Sequence, residues 1–487
     1  GLNSVSLSAN WMWPCRSQAG EDARLYAGVK ALSDFCCALH INVPTGKDSL
    51  SMTQQYPDGK KIIAPGTVIV SAGGEVSDVR RVVRPVVIND PASRLYYIDF
   101  SSAPLALGGS AFAQTLGRVG SDVPTVADAE AFRRAFAAVQ KLVSQELLLA
   151  GHDVSAGGLV TTLLEMCFAN TKGGLELSLD ALSPASDFAH TLFAENPAVV
   201  VQVADARNEA FLAVLAEAGV AAVELGRPVE GRTLTLRRAD RQLALDIDAL
   251  REDWYGTSAE MDAFQSFNGC AEQRAHNYKS QPLNLRLPAS FDGSFATLGV
   301  SPDRRTPSGV RAAIIREKGT NGEREMAYIL HLAGFDVKDV TMTDLVSGRE
   351  TLDEVNFIVF CGGFSNSDVL GSAKGWAGAF LFNPKAKAAL DRFYARPDTL
   401  SLGVCNGCQL MVELGLVNPE HTDRRARMLH NDSHKFESGF VGVDVAPNDT
   451  VLFSSLSGSR LGIWVAHGEG KFSLPRPAAD YNIVLSY

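Results

Sequence analysis

The stretch Leu400–Gly415, LSLGVCNGCQLMVELG, decides the fold of the second half of this 487-residue chain. Its first residues have the apolar pattern of a buried strand and its last residues have helical spacing, so we expect a strand to turn directly into a helix. The turn, GVCNG over residues 403–407, is the cysteine version of the G-x-S-x-G nucleophile elbow. Glycines two residues before and after Cys405 let the chain turn sharply. At a helix N-terminus, which favours negative charge, Cys405 is a candidate nucleophile.

Strand and helix patterns alternate along the chain before this elbow. We expect strands within residues 310–319, 335–345, 355–360 and 399–404, and helices within residues 321–335, 385–395 and 405–415. This alternation predicts a flavodoxin-like α/β domain, in which helices cover both faces of a parallel sheet. The active sites of such sheets lie beyond the carboxyl ends of the strands, where Cys405 falls.

A second glycine turn, CGGFS at residues 361–365, follows the strand pattern VNFIVF. Acyl transfer requires N–H donors directed at the oxyanion that forms when a carbonyl is attacked. We expect the backbone N–H groups of Asn406 and of Gly363, in the Gly362–Gly363 pair, to be those donors. Alone the glycine pair is weak evidence, because many strands end in glycines. Beside the elbow it supports an acyl-transfer site.

Two alternatives for Cys405 are a buried structural thiol, and a redox or zinc half-site formed with Cys408 as C-x-x-C. Both are disfavoured, because the sequence has no second C-x-x-C and no histidine cluster that would complete a zinc site. The eight cysteines are scattered, which favours a reduced, cytoplasmic protein. The net charge of −10 argues against general nucleic-acid binding. No apolar run is long enough to span a membrane.

The sequence predicts an α/β and α+β multidomain organisation. We expect a partial domain at 1–88, an α/β domain at 89–253, a polar surface linker at 254–305 and the elbow domain at 306–487. Upstream patterns favour helices over Glu21–Leu39 and within 129–152, and strands within 60–74, 78–87, 94–100 and 199–206.

Two polar motifs of the first half could bind phosphate. HDVSAGG, residues 152–158, places a carboxylate and two glycines before a helix pattern. A helix N-terminus suits phosphate and a carboxylate suits Mg²⁺. For the motif in isolation, however, an Asp N-cap with a C-capping glycine is the favoured explanation. GKDS, residues 46–49, sets a Lys beside a Ser, but the order is not that of a Walker loop and a solvated turn remains an alternative.

The segments VFCGGFSNSDVLGSAKGW and LGVCNGCQLM resemble a class I glutamine amidotransferase domain, in detail the one that ends the large, single-chain phosphoribosylformylglycinamidine synthases of purine biosynthesis. The resemblance implies that Cys405 attacks the amide of glutamine, forms a glutamyl thioester and releases ammonia. It also implies glutamine-binding roles, carried by Phe364, Gln409, Asn431 and Ser433. The family often has Tyr-Gly after GGFS, where this chain has Asn366-Ser367.

A thiol nucleophile needs a general base, usually a histidine oriented by a carboxylate. Spacing alone favours His467 and Glu469, in WVAHGEGKF. The resemblance instead implies a His-Pro-Glu pair further along the chain than Tyr487, and a pocket or interface role for HGEG. His467 and Glu469 are therefore the second choice, and we expect a chain without His-Pro-Glu to release ammonia poorly.

The upstream segments SANWMWP, GEDARLYAGVKAL, INVPTGKDSLSM and GHDVSAGGLVTTLLEM resemble the second, aminoimidazole-ribonucleotide-synthetase-like half of the same enzymes. This resemblance implies an auxiliary nucleotide site for ATP or ADP, with Asp153 as a Mg²⁺ ligand and Ser155 near the nucleotide. The implied substrates are glutamine and formylglycinamide ribonucleotide, and the implied products are formylglycinamidine ribonucleotide, ADP, phosphate and glutamate. The implied partners are the remaining N-terminal and C-terminal parts of the same polypeptide.

Because the first synthetase half and the His-Pro-Glu pair do not occur in the sequence, we expect a fragment that is inactive alone. Two functions of other classes remain as alternatives. One is a hydrolase or peptidase-like domain with a cysteine elbow, which would not need the GGFS turn together with NDSHKF. The other is a structural scaffold that only binds nucleotide.

Overall fold

The computed structural model describes residues 2–15, 18–183, 186–280, 283–417 and 425–487. Contacts divide the chain into two compact units, residues 1–255 and 256–487. Among the described residues, no helix combines the length and apolarity needed to traverse a bilayer.

The first unit begins with a three-stranded sheet and a long helix. Its elements are β1 (Val5–Met12), α1 (Glu21–Leu39), β2 (Asn42–Ser49), the hairpin β3 (Thr53–Gln55) and β4 (Lys61–Ile63), and β5 (Thr67–Gly74). The sheet order is β2-β1-β5, with β1 parallel to β2 and antiparallel to β5. The predicted helix Glu21–Leu39 and the strands within 60–74 are confirmed.

A seven-stranded sheet of order β12-β11-β8-β10-β6-β9-β7 forms the rest of the first unit. Its elements are β6 (Ser93–Asp99), α2 (Ala111–Thr115), α3 (Ala129–Ser144), β7 (Ala150–Val154), α4 (Gly158–Phe168), β8 (Gly174–Ser178), α5 (Phe188–Phe193), β9 (Ala198–Ala204), α6 (Asn208–Ala218), β10 (Ala222–Val229), β11 (Thr233–Arg238) and β12 (Arg241–Asp246). Leu95 and Tyr97 face one apolar core, and Tyr96 and Ile98 face a second. Both faces of β6 are therefore buried, as its run of large apolar residues requires.

The strand predicted within residues 78–87 is wrong. The chain turns at Asp78 instead, because its carboxylate accepts the backbone N–H and the guanidinium of Arg80. Val79 and Val82 are exposed, so the apolar residues that suggested a strand have no sheet to join. The turn offered as an alternative for GKDS is also wrong, since these residues lie within β2.

The second unit is built on the predicted parallel sheet, in the order β14-β13-β15-β16. Its elements are β13 (Arg311–Arg316), α9 (Glu323–Leu332), β14 (Asp336–Thr341), α10 (Met342–Ser347), β15 (Phe357–Phe360), α11 (Lys374–Leu381), α12 (Pro384–Tyr394), β16 (Leu400–Gly403) and α13 (Asn406–Glu413). Alternate residues of β13 enter opposite cores, Ala313 and Ile315 on one face, Ala312 and Ile314 on the other. Buried sheet faces on both sides confirm the α/β class of this unit.

Helices occupy much of the segment expected to be a linker. These are α7 (Ile247–Gln265) and α8 (Cys270–His276). The second unit ends in antiparallel strands, namely β17 (Arg427–Leu429), β18 (Glu437–Val445), β19 (Arg460–His467), β20 (Lys471–Ser473) and β21 (Leu485–Ser486). The strand β18 lies between β19 and β21, and β17 pairs with β20.

Candidate active site

Cys405 occupies a strained turn between β16 and α13. Its backbone angles are φ 53° and ψ −111°, in a left-handed region that a cysteine rarely adopts. The N–H of Gly407 donates to the carbonyl of Val404 at 2.9 Å, and that of Gln409 donates to the carbonyl of Cys405 at 3.1 Å. The turn leaves Cys405 exposed at the start of the helix, which is the predicted elbow geometry.

Gly407 allows the elbow to approach the neighbouring strand. A Cβ at this position would lie 2.0 Å from the carbonyl oxygen of Phe360, at the end of β15. Phe360 is fully buried and its carbonyl accepts the N–H of Val404 at 3.1 Å. The missing side chain at 407 therefore sets the distance between the elbow and β15.

The glycine turn after β15 lies against the nucleophile. A Cβ on Gly362 would be 3.1 Å from the Cβ of Cys405 and 3.8 Å from its Sγ. The next residue, Gly363, has φ +117°. In the described part of the chain, no hydrogen bond uses the backbone N–H of Gly363 or of Asn406. Two N–H groups thus remain available beside Cys405, as an oxyanion site requires.

A third loop, residues 317–321, fixes the glycine turn from the other side. Phe364 N–H donates to the carbonyl of Gly319 at 2.8 Å, and Asn321 N–H donates to the carbonyl of Gly362 at 3.0 Å. These bonds flank Gly363 and leave its own N–H unused. The sequence prediction did not include this loop. Its signal is Gly319 in REKGTNG, where a Cβ would lie 2.2 Å from the carbonyl oxygen of Phe364.

The side chain of Asn406 connects the elbow to the glycine turn. Its Oδ1 accepts the N–H of Ser365 at 3.1 Å, and its Nδ2 donates to Asp368 at 3.1 Å and to Gln409 Oε1 at 3.0 Å. Asn406 is fully buried, and its bonds to Ser365 and Gln409 are shielded from water. Asp368 was missed by the sequence prediction, although it follows directly after GGFSNS.

Three consecutive residues in this turn have left-handed backbone angles. The φ values are +52° for Asn366, +56° for Ser367 and +47° for Asp368. Asn and Asp tolerate this conformation better than Ser does. The position that the resemblance gives as glycine in the family is Ser367 here, so this chain holds a strained residue at that point.

Asn431 ties its own loop to the HGEG turn. Its Nδ2 donates to the carbonyls of His467 at 2.7 Å and of Lys435 at 3.0 Å, and its Oδ1 accepts the N–H of Gly470 at 3.2 Å. These backbone partners fix which amide atom is oxygen. The ring Nδ1 of His467, 2.9 Å from Asn431 Oδ1, must therefore carry a proton. A neutral His467 then has an unprotonated Nε2.

Among the described residues, no hydrogen bond joins the side chain of His467 or Glu469 to Cys405. His467 bonds to Asn431, and the Glu469 carboxylate lies 3.8 Å from His430. The contact to Cys405 Sγ comes instead from the carbonyl oxygen of Ala466, at 3.5 Å. Gln409 Nε2 donates to the carbonyl of Glu469 at 2.7 Å. The HGEG turn therefore packs on the site mainly through its backbone.

The remaining predicted pocket residues have unused surfaces. The Ser433 hydroxyl is buried and has no hydrogen-bond partner among the described residues. The ring of Phe364 is 55% exposed and lies 6.2 Å from the ring of Phe436. A buried hydroxyl without a partner in one loop and an exposed aromatic ring in the glycine turn are features that a small ligand with polar and apolar parts could use.

The other two thiols near the elbow are poor nucleophiles. Burial, with added repulsion from Cys405, raises the pKa of the Cys408 thiol. Burial and two neighbouring carboxylates raise the pKa of Cys361 to about 11. Since only a thiolate attacks efficiently, Cys405 is the exposed sulfur best placed to react.

The upstream motif HDVSAGG forms a strand end followed by a helix, as expected. Asp153 is in β7 and its side chain is 70% exposed, 3.4 Å from His152 Nδ1. The N-cap of α4 is Gly157, so the Asp N-cap alternative is wrong. Ser155 is exposed, and its carbonyl accepts the N–H of Gly158. The N–H of Gly157 already donates to Glu195 Oε1 at 2.8 Å. A carboxylate therefore uses one of the N–H groups that we expected to bind phosphate.

Asp153 has no partners for a protein-only metal site. Within the described ranges, no group of three or more His, Cys, Asp or Glu residues could hold a metal ion. Asp153 is thus a single exposed carboxylate, and it fits Mg²⁺ only in the common arrangement in which water and phosphate oxygens supply the other ligands.

Three family models match the chain. Residues 309–484 match the CobB/CobQ-like glutamine amidotransferase domain. Residues 1–75 match the FGAR-AT PurM_N-like domain, and residues 99–238 match the AIR synthase related protein, C-terminal domain.

Curated relatives match nearly the whole chain. The probable chloroplastic/mitochondrial phosphoribosylformylglycinamidine synthase of Arabidopsis thaliana is 36% identical over 97% of this chain and 34% of its own length. The human phosphoribosylformylglycinamidine synthase is 39% identical over 99% of this chain and 37% of its own length. The chain thus spans about a third of the length of the curated relatives it matches. The solved T. maritima PurL complexed with ATP has a TM-score of 0.38 and 12% identity, covering 51% of this chain and 38% of that chain.

Proposed function

We propose that this chain supplies the glutaminase nucleophile and an auxiliary nucleotide-binding half of a phosphoribosylformylglycinamidine synthase. It corresponds to about one third of the length of its relatives of that name. The intact enzyme would use ATP to convert formylglycinamide ribonucleotide and glutamine to formylglycinamidine ribonucleotide, ADP, phosphate and glutamate. The observation that carries the proposal is the exposed, left-handed Cys405 beside two N–H groups that have no acceptor among the described residues.

This geometry supports a glutaminase half-reaction at Cys405. The thiolate of Cys405 attacks the side-chain amide carbon of glutamine, and the N–H groups of Gly363 and Asn406 stabilise the oxyanion. The C–N bond then breaks, ammonia leaves with a proton from the general acid, and a glutamyl thioester remains on Cys405. Water hydrolyses the thioester to glutamate and restores the thiol.

The pocket residues divide into two roles under this proposal. Phe364, Gln409 and Ser433 contact glutamine. Asn431 shapes the pocket indirectly, since both protons and both lone pairs of its amide are used by the contacts already described. We assign His467 and Glu469 to holding the loop, and the base would come from a His-Glu pair elsewhere in the intact enzyme.

Labelling of Cys405 tests the glutaminase proposal. The chloroketone analogue of glutamine should alkylate Cys405 much faster than Cys37, an exposed cysteine of the first unit that serves as an internal control. L-Glutamine should protect Cys405, and D-glutamine should not. Mass spectrometry of the labelled peptides gives both rates. Labelling of Cys405 at the Cys37 rate, without protection, would contradict the proposal. Preferential labelling by a peptide-derived chloroketone would favour the hydrolase alternative.

The nucleotide proposal assigns Asp153 and Ser155 to the auxiliary site, with ADP and Mg²⁺ as the ligands. Support comes from the strand end and the glycine-started helix at residues 153–158. Calorimetry with ADP and Mg²⁺ should show weaker binding by Asp153→Ala than by the parent. Asp240→Ala, an exposed aspartate of the same unit, is the matched control. Equal ADP binding by all three proteins would refute the assignment of Asp153. If Cys405 is nevertheless labelled with glutamine protection, the glutaminase part of the proposal stands without the nucleotide part.

A further inference from the structure

We infer that the segment Asp262–Arg274 positions the proposed glutamine-binding loop, residues 431–437, and that Asp262 and Asn268 are positioning residues for glutamine capture. The segment lies in α7, α8 and the turn between them, and both it and the loop belong to the second unit. The inference rests on the proposed function for the role of the loop, whereas the contacts below are observed.

Two bonds attach the turn after α7 to consecutive residues of the loop. The N–H of Phe267 donates to the carbonyl of Ser433 at 3.0 Å. The Nδ2 of Asn268 donates to the carbonyl of Asp432 at 2.7 Å. Asn268 makes this bond from a left-handed conformation, φ +57°, which asparagine tolerates well. The peptide groups that set the direction of the Ser433 side chain are therefore fixed from outside the loop.

A cluster of four charges fastens the end of the loop. Asp262, with a side chain only 10% exposed, forms ion pairs with both Lys435 and Arg274. Arg274 also contacts Glu437 at 2.8 Å. Burial of Asp262 opposes its charge, but the bonds from Lys435 and Ser266 and the charge of Arg274 outweigh this and lower its pKa. Asp262 thus bridges two positive side chains, so removing its charge takes a partly buried ion-pair partner from both Lys435 and Arg274.

The location of these contacts predicts which step of the reaction they affect. They reach the carbonyls of Asp432 and Ser433 and the side chain of Lys435. None of the bonds from Asp262 or Asn268 among the described residues reaches Cys405 or the glycine turn. Loss of the contacts from Asp262 or Asn268 should therefore weaken the binding of glutamine and leave the reactivity of the Cys405 thiol unchanged.

Saturation kinetics of Cys405 alkylation separate these two effects. The probe is the chloroketone analogue of glutamine, applied to the full chain, and iodoacetamide measures thiol reactivity without a glutamine pocket. The variants are Asp262→Asn, which keeps shape and removes charge, and Asn268→Gly, which keeps the left-handed turn and removes the amide. Glu260→Gln, an exposed position on the same helix, is the matched control.

For Asp262→Asn we expect the half-saturating chloroketone concentration to rise about tenfold, the effect of losing a charge-assisted hydrogen bond. For Asn268→Gly, whose bond to Asp432 is exposed, we expect a smaller rise of about threefold. The limiting alkylation rate and the iodoacetamide rate should equal those of the parent and of Glu260→Gln. Unchanged half-saturation in both variants, or a lower limiting rate with unchanged half-saturation, overturns the inference. If Asp262→Asn does not fold, Asn268→Gly decides alone. Failure of the parent to show glutamine-protected labelling instead refutes the proposed function, and this inference with it.

Discussion

Replacing Gly407 by alanine should displace the elbow and destabilise the second unit. The new Cβ would lie 2.0 Å from the carbonyl oxygen of Phe360, 1.4 Å short of the 3.4 Å at which ordinary contact begins. Phe360 cannot move easily, because it is fully buried at the end of β15, which pairs with strands on both sides. The elbow cannot move easily either, because the hydrogen bonds from Gly407 to Val404 and from Gln409 to Cys405 hold its backbone. Overpacking of this kind costs about 3 kcal/mol, the upper part of the usual range. For a unit of this size, that corresponds to a fall in Tm of roughly 6–12 °C.

The buried thiol of Cys361, 2% exposed, gives a readout specific to the second unit. Its alkylation during a temperature ramp reports unfolding there, and chloroketone labelling of Cys405 reports the elbow. We expect Gly407→Ala to expose Cys361 at the lower temperature and to slow Cys405 labelling. Gly439→Ala is the control, because a Cβ there meets no atom within 4 Å. If Gly407→Ala and Gly439→Ala melt together and label alike, the close approach at 407 does not set the elbow geometry.

Three other changes test the surrounding structure. Asn406→Ala should lower the free energy of unfolding by about 1–3 kcal/mol, because the buried N–H of Ser365 loses its acceptor. An unchanged urea midpoint would contradict the proposed network. Ser367→Gly should stabilise by about 0.5–1 kcal/mol, the relief of left-handed strain less the added chain entropy, and a lower urea midpoint would refute that view. Burial raises the pKa of Cys361 in the folded protein to about 11 from 9.0, so the stability contributed by its neutral thiol is full below pH 9 and is lost as the pH rises towards 11. The urea midpoint of the parent should therefore fall between pH 9 and 11. In Cys361→Ala the midpoint should fall less steeply over the same range.

The sequence was sufficient to predict the parts of the site that depend on local chain geometry. The elbow, the glycine turn and the parallel strands were all predicted, because short apolar runs bounded by glycines constrain local structure strongly. The helix α1 was also predicted to its observed bounds, Glu21–Leu39. Those patterns involve neighbouring residues, which a single sequence displays directly.

The missed features depend on residues distant in the sequence. The contacts of Asp368 with Asn406 and of Asn268 with Asp432 span 38 and 164 residues, and no local pattern indicates them. The polarity of residues 254–305 predicts a linker, yet α7 and α8 place charged residues such as Asp262 in partly buried ion pairs. The strand predicted at 78–87 failed for the opposite reason, since its valines satisfied a local pattern without a neighbouring strand.

The network around Asn406 also determines how this protein would age chemically. Asn406 is followed by Gly407, and in a flexible chain the N–H nitrogen of such a glycine attacks the asparagine amide, expels ammonia and forms a succinimide that opens to aspartate or isoaspartate. Here the Gly407 N–H is held by Val404 at 2.9 Å and the Asn406 amide by three partners, so the folded elbow resists this reaction. Unfolding removes that protection. A deamidated chain that refolds would place a new carboxylate at residue 406 against Asp368. A single unfolding episode would then leave an irreversible covalent change next to the nucleophile.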